Sequence, residues 1–225
     1  MNIERDLSVI FKDKEWIRKT LMGGVFLLIP PLFIFSFGFI ARFIHDRLET
    51  GTKALPSWDH WSSLFIKGFE WGLIIVLYTA IPVFILSLLP GTVIEFLVNP
   101  KFVMTSLRVG GFFILFLSFL LGCIVMFFLP MAIILFSDTG SFTDAVRYEK
   151  IYKHIKSNLA PYLIAYMLMV FLLVVNFLLH LFINTYIGVL NTYIFHFCLI
   201  LAYFIFLWLG FIILLISASL FIESF

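Results

Sequence analysis

Hydrophobic residues along this chain fall into long runs without charge, and short polar segments separate the runs. A helix of about 20 apolar residues is long enough to cross the hydrocarbon core of a bilayer. The pattern therefore predicts an all-α, polytopic membrane protein. Four runs are predicted to be full spans, namely 71–90, 109–136, 159–183 and 192–222.

A further uncharged run, 20–41, carries Pro30 and Pro31 at its centre. Two adjacent prolines remove two backbone hydrogen-bond donors and strongly disfavour a straight helix. The run is therefore predicted either to cross the membrane as a kinked fifth span or to turn back as a re-entrant hairpin.

The longest polar segments carry an amphipathic pattern, with apolar residues three and four positions apart and most charges elsewhere. Such helices beside apolar runs are typical of the membrane interface. In the last of these segments, Ser141 and Asp144 have the spacing of a capping box. The predicted elements are an amphipathic helix at 1–19, a polar loop with an interfacial helix at 42–70, and an interfacial helix at 141–157.

The helix within 42–70 is predicted to begin after Ser57, because a serine hydroxyl can accept hydrogen bonds from the free N–H groups of a first turn. Trp58 and Trp61 on this helix, and Trp71 at the start of the following span, are predicted to be interfacial anchors, since tryptophan is enriched at headgroup level. The alternative is that this helix packs against the protein's own spans.

The composition is that of a single integral membrane domain covering 1–225. Hydrophobic residues make up 63% of the chain and charged residues 12%, which excludes an ordinary soluble protein and leaves no room for a separate catalytic domain. The net charge of +2 is too small to indicate nucleic acid. Cys123 and Cys198 lie in apolar runs, so we expect small buried side chains and neither a disulfide framework nor a metal site. No cofactor is expected.

The basic residues help to choose a topology. Five of the fifteen Lys and Arg residues precede the run 20–41, four follow it, two lie in the next connection and four in the one after. If 20–41 turns back, 13 lie on the side of the N-terminus and 2 on the other; if it crosses, the division is 7 and 8. Because basic residues concentrate on the cytoplasmic side, the hairpin with a cytoplasmic N-terminus is favoured.

A polar stripe is the candidate binding site. Asn176, His180 and Asn184 recur every four residues along the third predicted span, so they lie on nearly one helix face. His196 begins the last span and approaches them if the two helices form a hairpin. Polar groups at membrane depth indicate a pocket for a proton, an ion or a headgroup. The alternative is interhelical hydrogen bonding near the surface.

Residues that would indicate an enzyme are sparse. The sequence has no Gly-rich phosphate loop, HExxH, CxxC or nucleophile elbow. His45, Asp46, Asp59 and His60 form its only His/Asp grouping, and they would bind a transition metal only if the intervening turn brought them together; otherwise they are solvated. Glu95 would be functional at membrane depth, but its place after a Pro-Gly pair favours a solvated carboxylate. No catalytic residue is predicted.

Four short motifs carry a resemblance to a known family: Gly23-Gly24, Gly38-Phe39-Ile40-Ala41-Arg42, Leu55-Pro56-Ser57-Trp58 and Gly68. With them the chain resembles a family of prokaryotic membrane proteins, the domain of unknown function four-zero-one-three, over roughly 20–170. The family usually has Tyr where this chain has Phe39, so a hydroxyl there is not essential here. The resemblance implies several helices in a bacterial or archaeal cell membrane, and it implies no activity.

Three classes of function follow from these features. The favoured class is a non-catalytic membrane-binding or scaffold protein, oligomeric, with membrane lipids as partners. It suits the interfacial helices and the lack of buried charge. The second class is a transporter or permeation component that uses the polar stripe, and the third is a lipid-modifying enzyme that depends on the His/Asp grouping.

Overall fold

The computed structural model describes residues 10–51, 54–87, 109–187, 192–223 and 225. Within these ranges the chain is all-helical, as predicted, and Glu95 lies outside them. The helices are α1 (Trp16–Leu28), α2 (Phe33–Thr50), α3 (Trp61–Ser87), α4 (Val109–Thr139), α5 (Phe142–Val146), α6 (Tyr148–Ser157), α7 (Leu159–Ile187) and α8 (Thr192–Glu223).

Four helices in the described parts of the chain are long and apolar enough to cross a membrane. Only between 17% and 28% of each apolar stretch is buried inside the chain, so most of its side chains are free to face lipid. These helices correspond to the four predicted spans. The stretches are Trp61–Ile85 of α3, Phe116–Thr139 of α4, Leu159–Ile183 of α7 and Cys198–Glu223 of α8.

The Pro-Pro run turns back on itself, so the kinked fifth span was the wrong alternative. Helices α1 and α2 are joined by a turn at 29–32 and pack against each other in opposite directions. The Ser36 hydroxyl donates to the Gly23 carbonyl at 2.9 Å, and the rings of Phe26 and Phe35 are 5.9 Å apart. With 13 residues, α1 is about 20 Å long, too short for a hydrocarbon core of about 30 Å.

The hairpin packs against α8 through two glycines on α1. A Cβ on Gly23 would overlap the Phe211 ring, and a Cβ on Gly24 would lie 2.9 Å from Trp208 Cβ. The aromatic rings of α8 therefore approach the α1 backbone directly. On the other arm of the hairpin, the buried Phe39 ring of α2 lies 5.9 Å from the Phe211 ring.

Helices α2 and α3 also cross at two glycines. A Cβ on Gly38 would overlap the Leu64 carbonyl, and a Cβ on Gly68 would overlap the Ile34 carbonyl. Each glycine thus admits the backbone of the other helix, and no side chain separates the two. This crossing fixes α3 against the hairpin.

The start of α3 differs from the prediction. Ser57 is not its N-cap, because the chain stays non-helical up to His60, which has a φ of 53°. The His60 carbonyl accepts from the N–H groups of Ser63 and Leu64, and the helix begins at Trp61. The predicted interfacial helix and the following span are one continuous helix, because no turn or helix break separates their apolar residues.

The N-terminal prediction is also corrected within the described residues. The prediction was a single helix over 1–19. In the described part of this segment the helix is interrupted at 12–15, and α1 begins only at Trp16. Asp13 causes the break, because its carboxylate accepts from the Glu15 N–H at 2.8 Å and its carbonyl accepts from the Trp16 N–H at 3.1 Å. Such local side-chain bonds compete with helix continuation.

The predicted helix at 141–157 is divided into α5 and α6 at Arg147, whose backbone is extended. Ser141 does occupy the N-cap position of α5, but its side chain makes no capping bond within the described chain. The Asp144 carboxylate instead lies 2.8 Å from Lys150 Nζ. This ion pair stabilises the junction between the two short helices.

Internal contacts divide the chain into two units. The first is Met1–Gly72 together with Met131–Phe225, and the second is Leu73–Pro130. In the second unit, Ser118 is buried and Cys123 is exposed. The prediction that Cys123 is buried was wrong, because an apolar residue on a membrane helix is stable on the lipid-facing surface too.

Candidate functional site at the basic end of the first unit

The N-terminal turn contacts the loop that precedes α3. Lys19 Nζ donates to the Leu55 carbonyl at 2.8 Å and lies 2.8 Å from Asp13 Oδ2. The Leu55 N–H donates to Asp13 Oδ2 at 3.0 Å, and Trp58 Nε1 donates to the Lys19 carbonyl at 3.0 Å. These bonds place the two polar segments on the same side of the hairpin.

Further contacts gather the other polar segments at this end. His45 Nδ1 lies 3.0 Å from the Ser137 carbonyl, and the Arg47 guanidinium donates to the Ser219 hydroxyl. The His154 ring stacks on the C-terminal Phe225 at 4.8 Å. We call the resulting surface the basic end, because ten of the fifteen Lys and Arg residues belong to it. It comprises residues 12–19, 42–51, 54–60, 137–158, 219–223 and 225.

Asp13 holds the N-terminal turn in place. Its burial by itself raises the pKa of its carboxyl, but hydrogen bonds from Lys19 and from the N–H groups of Glu15 and Leu55 outweigh that effect. The pKa of Asp13 is therefore below its usual 3.8. A lowered pKa means that the folded chain favours the charged carboxylate.

We expect Asp13→Ala to speed amide hydrogen exchange at Leu55 by about tenfold at neutral pH, because the carboxylate acceptor is lost. The wild-type contact should be complete above pH 3.8 and lost as the pH falls through the lower folded-state pKa. The control is Asp144→Ala, which removes a carboxylate elsewhere. Equal exchange at Leu55 in Asp13→Ala and wild type, after correction for intrinsic rates, would contradict the assignment.

The His/Asp grouping is partly brought together, around an arginine. Arg42 Nη1 donates to Asp59 Oδ1 at 2.6 Å, and Arg42 Nε lies 3.9 Å from Asp46 Oδ2. His60 Nε2 is 4.0 Å from Asp59 Oδ2. Hydrogen bonds from the Ser57 hydroxyl and Arg42 hold the pKa of Asp59 below its usual value. The two carboxylates therefore act as partners of one guanidinium.

Metal binding by this grouping has no support in the part of the chain that the structure describes. There, no group of three or more His, Cys, Asp and Glu residues could hold a metal ion. His45 faces Ser137, as above, and its Nε2 lies 3.5 Å from the Glu49 carboxylate.

A cavity of about 390 Å³ lies between α2, α3 and the end of α4. Its walls combine hydroxyl groups, one imidazole, one ammonium, one carboxylate and apolar side chains. Ser62 and Gly140 are exposed, so the cavity is open at the basic end. The lining residues are Ala41, His45, Ser62, Ser63, Ile66, Lys67, Glu70, Phe136, Ser137 and Gly140.

Lys67 and Glu70 are the residues in this cavity that the sequence analysis missed. They lie in the second and third turns of α3, inside the stretch that is apolar enough to span. Neither is in an ion pair within the described residues. The available signal was that both follow Ser63 at helical spacing, but the assumed break before Trp71 placed them on a separate interfacial helix outside the span.

The predicted tryptophan anchors have different surroundings. Trp58 stacks on the Phe39 ring at 4.3 Å, and Trp71 is 5% exposed beside Phe37. Trp61 is 45% exposed. The alternative to interfacial anchoring was packing against the protein's own helices. Such contacts account for the positions of Trp58 and Trp71. Their placement at a membrane interface stays a prediction.

The polar stripe faces α8 where it is described. Asn176 is 5% exposed and its Nδ2 donates to the Phe206 carbonyl at 3.3 Å. The His180 ring lies 4.4 Å from the Phe206 ring. These contacts favour interhelical hydrogen bonding and packing. Asn184 and His196 belong to α7 and α8, and their side chains lie outside the described residues.

The fold defines a multi-pass, all-helical membrane protein with a short helical hairpin. The sequence profile of a family described as Protein of unknown function (DUF4013) matches residues 22–185. The chain belongs to that family, as the resemblance indicated. No curated protein and no solved structure matches the chain.

The motifs that carried the resemblance are the ones that pack the hairpin. Gly23 and Gly24 contact α8, while Gly38 and Gly68 form the crossing of α2 and α3. Phe39 is fully buried against the Trp58 ring, which explains why an apolar ring suits the position. The residues that carry the family resemblance are therefore residues at which the helices pack together.

Proposed function

We propose that the protein is a non-catalytic, lipid-binding membrane protein of a prokaryotic cell membrane, and that it acts as an oligomeric scaffold. The observation that carries the proposal is the basic end, where contacts gather segments that hold ten of the fifteen Lys and Arg residues. Anionic lipids of the cytoplasmic leaflet attract such a surface.

The orientation in this proposal has the N-terminus in the cytoplasm. Support comes from the hairpin, because it keeps the N-terminal turn and the loop before α3 on one side. Impermeant thiol labelling of Ser57→Cys, in a chain with Cys123→Ala and Cys198→Ala, checks this. Labelling only after the cells are opened is expected, and labelling from outside would reverse the orientation.

Helix α6 offers an accessible basic face. Ile151 and Ile155 are buried against the protein, while Lys153 and Lys156 are exposed. An amphipathic helix held in this way presents its charges outward, towards the headgroups of the leaflet. Each basic residue near an anionic surface contributes about 1 kcal/mol of attraction.

We expect the double variant Lys153→Gln, Lys156→Gln to retain several-fold less anionic lipid than wild type, because two attractive charges are removed. The measurement is native mass spectrometry on full-length protein released gently from vesicles that contain phosphatidylglycerol. The same spectra report the number of subunits.

The matched control is Glu149→Gln, which changes an exposed charge of the opposite sign in the same helix. It should not reduce the amount of retained anionic lipid. Unchanged retention in the double variant would refute binding through α6, and a protomer without any retained lipid would refute the lipid-binding proposal as a whole.

A further inference from the structure

We propose that the cavity between α2, α3 and α4 binds a phosphoethanolamine group, the zwitterionic headgroup of an ethanolamine phospholipid. The inference deepens the proposed function and rests on it, because it names one lipid class and one site for it. The cavity is the space of about 390 Å³ lined by Lys67, Glu70, Ser62 and Ser63.

The two charges on the cavity wall indicate a ligand that carries both signs. Lys67 and Glu70 are three residues apart on α3, a spacing at which opposite charges commonly pair. Among the described residues, neither is within ion-pair distance of an opposite charge. Charged groups within a span commonly face a polar cavity and pair there with an opposite charge. A simple anion or a simple cation would leave one of the two unmatched.

The positions of the polar groups indicate where in the cavity the phosphate and the ammonium of the ligand bind. Ser62 and Ser63 lie in the first turn of α3, where their hydroxyl groups and the helix dipole favour a phosphate, and Lys67 is one turn further along the same wall. Glu70 follows and can accept hydrogen bonds from a primary ammonium, which has three donors. A quaternary ammonium, as in choline, has none.

The size and surroundings of the cavity favour a lipid as the source of this group. A volume of about 390 Å³ is at the lower end of small-molecule sites, enough for a headgroup but not for acyl chains. Ile66 lines the cavity and is 57% exposed. Its neighbours Phe65 and Phe69 are also exposed on α3. Acyl chains can therefore lie along the outer surface of the helix.

The test uses the full chain in vesicles with equal amounts of phosphatidylethanolamine, phosphatidylglycerol and phosphatidylcholine, followed by native mass spectrometry. We expect one phosphatidylethanolamine retained per chain, in preference to phosphatidylcholine, while phosphatidylglycerol reports the basic end. Lys67→Met and Glu70→Gln should each reduce that retention by about tenfold, because each removes a charge-assisted hydrogen bond.

Glu149→Gln is the control, since it removes an exposed carboxylate that lies outside the cavity. It should leave phosphatidylethanolamine retention unchanged. Lys67→Arg and Glu70→Asp keep the charges and should retain more of this lipid than the neutral variants, which guards against variants that fail to fold. Phosphatidylglycerol gives separate peaks in the same spectra, so the proposed function and this inference can fail independently.

Two outcomes would overturn the inference. One is equal retention of phosphatidylethanolamine and phosphatidylcholine by wild type, and the other is full retention of phosphatidylethanolamine by Glu70→Gln. A final arm offers soluble phosphoethanolamine to protein in vesicles that lack ethanolamine lipid. A one-to-one adduct there that is lost in both Lys67→Met and Glu70→Gln would support the site and assign it a soluble ligand.

Discussion

Replacing Gly38 with Ala is expected to destabilise the protein by about 3 kcal/mol, at the upper end of the range for overpacking. The new Cβ would overlap the Leu64 carbonyl, which belongs to backbone and cannot rotate away. Alanine favours the helix over glycine by about 1 kcal/mol. The substitution is therefore destabilising only because the steric clash costs more than this gain. Thermal unfolding in detergent, followed by circular dichroism, measures the loss.

Gly72→Ala is the matched control on α3. A Cβ at Gly72 meets no atom within 4 Å, so this variant should be as stable as wild type or slightly more stable. Gly68→Ala should resemble Gly38→Ala, because its Cβ would overlap the Ile34 carbonyl. The double variant should lose less than the sum, since one clash already separates the helices. A neutral Gly38→Ala would show that α2 and α3 do not cross here.

Phe39→Ala is expected to have the second large effect, a loss of about 3–5 kcal/mol, because it empties the space of a fully buried ring. The ring stacks on Trp58 and contacts Phe211. The loss should therefore affect both the loop before α3 and the packing of the hairpin on α8. The same unfolding measurement applies.

The control for this substitution is Phe171→Ala on α7, where the ring is 62% exposed. Removing it leaves no cavity within the chain, so we expect a much smaller change in the unfolding midpoint. If both variants lost the same stability, the buried Phe39 ring would contribute no more to the stability of the protein than a lipid-facing ring does. The assignment of Phe39 to the core would then be wrong.

Both predictions concern contacts that link residues far apart in the chain, and these could not be read from the sequence. Gly38 and Gly68 were visible as motif residues, but nothing in their spacing shows that they meet each other. Trp58 was read as an interfacial anchor because tryptophan is common at headgroup level. Its stacking on Phe39 and its bond to the Lys19 carbonyl depend on the hairpin.

The candidate cavity also could not be predicted from the sequence. Lys67 and Glu70 were assigned to a separate interfacial helix that ended before Trp71, because hydropathy alone does not show that such a helix continues into the apolar run that follows it. In the structure, the continuous α3 places both charges in a span and beside α2 and α4, so they become candidate ligand-binding residues. Asn176, in contrast, was found by its spacing alone, and its amide does bond to α8.

The sequence by itself determined the all-helical class and the four spans, because the length of an uncharged run and the thickness of a bilayer decide them. It also showed that the Pro-Pro run could not be a straight span. Only the tertiary structure decided that this run is a hairpin, that glycines join it to α3 and α8, and that two charges share a cavity. The physical reason is range: hydropathy and helix-breaking are local properties of the chain, whereas helix crossings and cavities depend on which distant surfaces fit together.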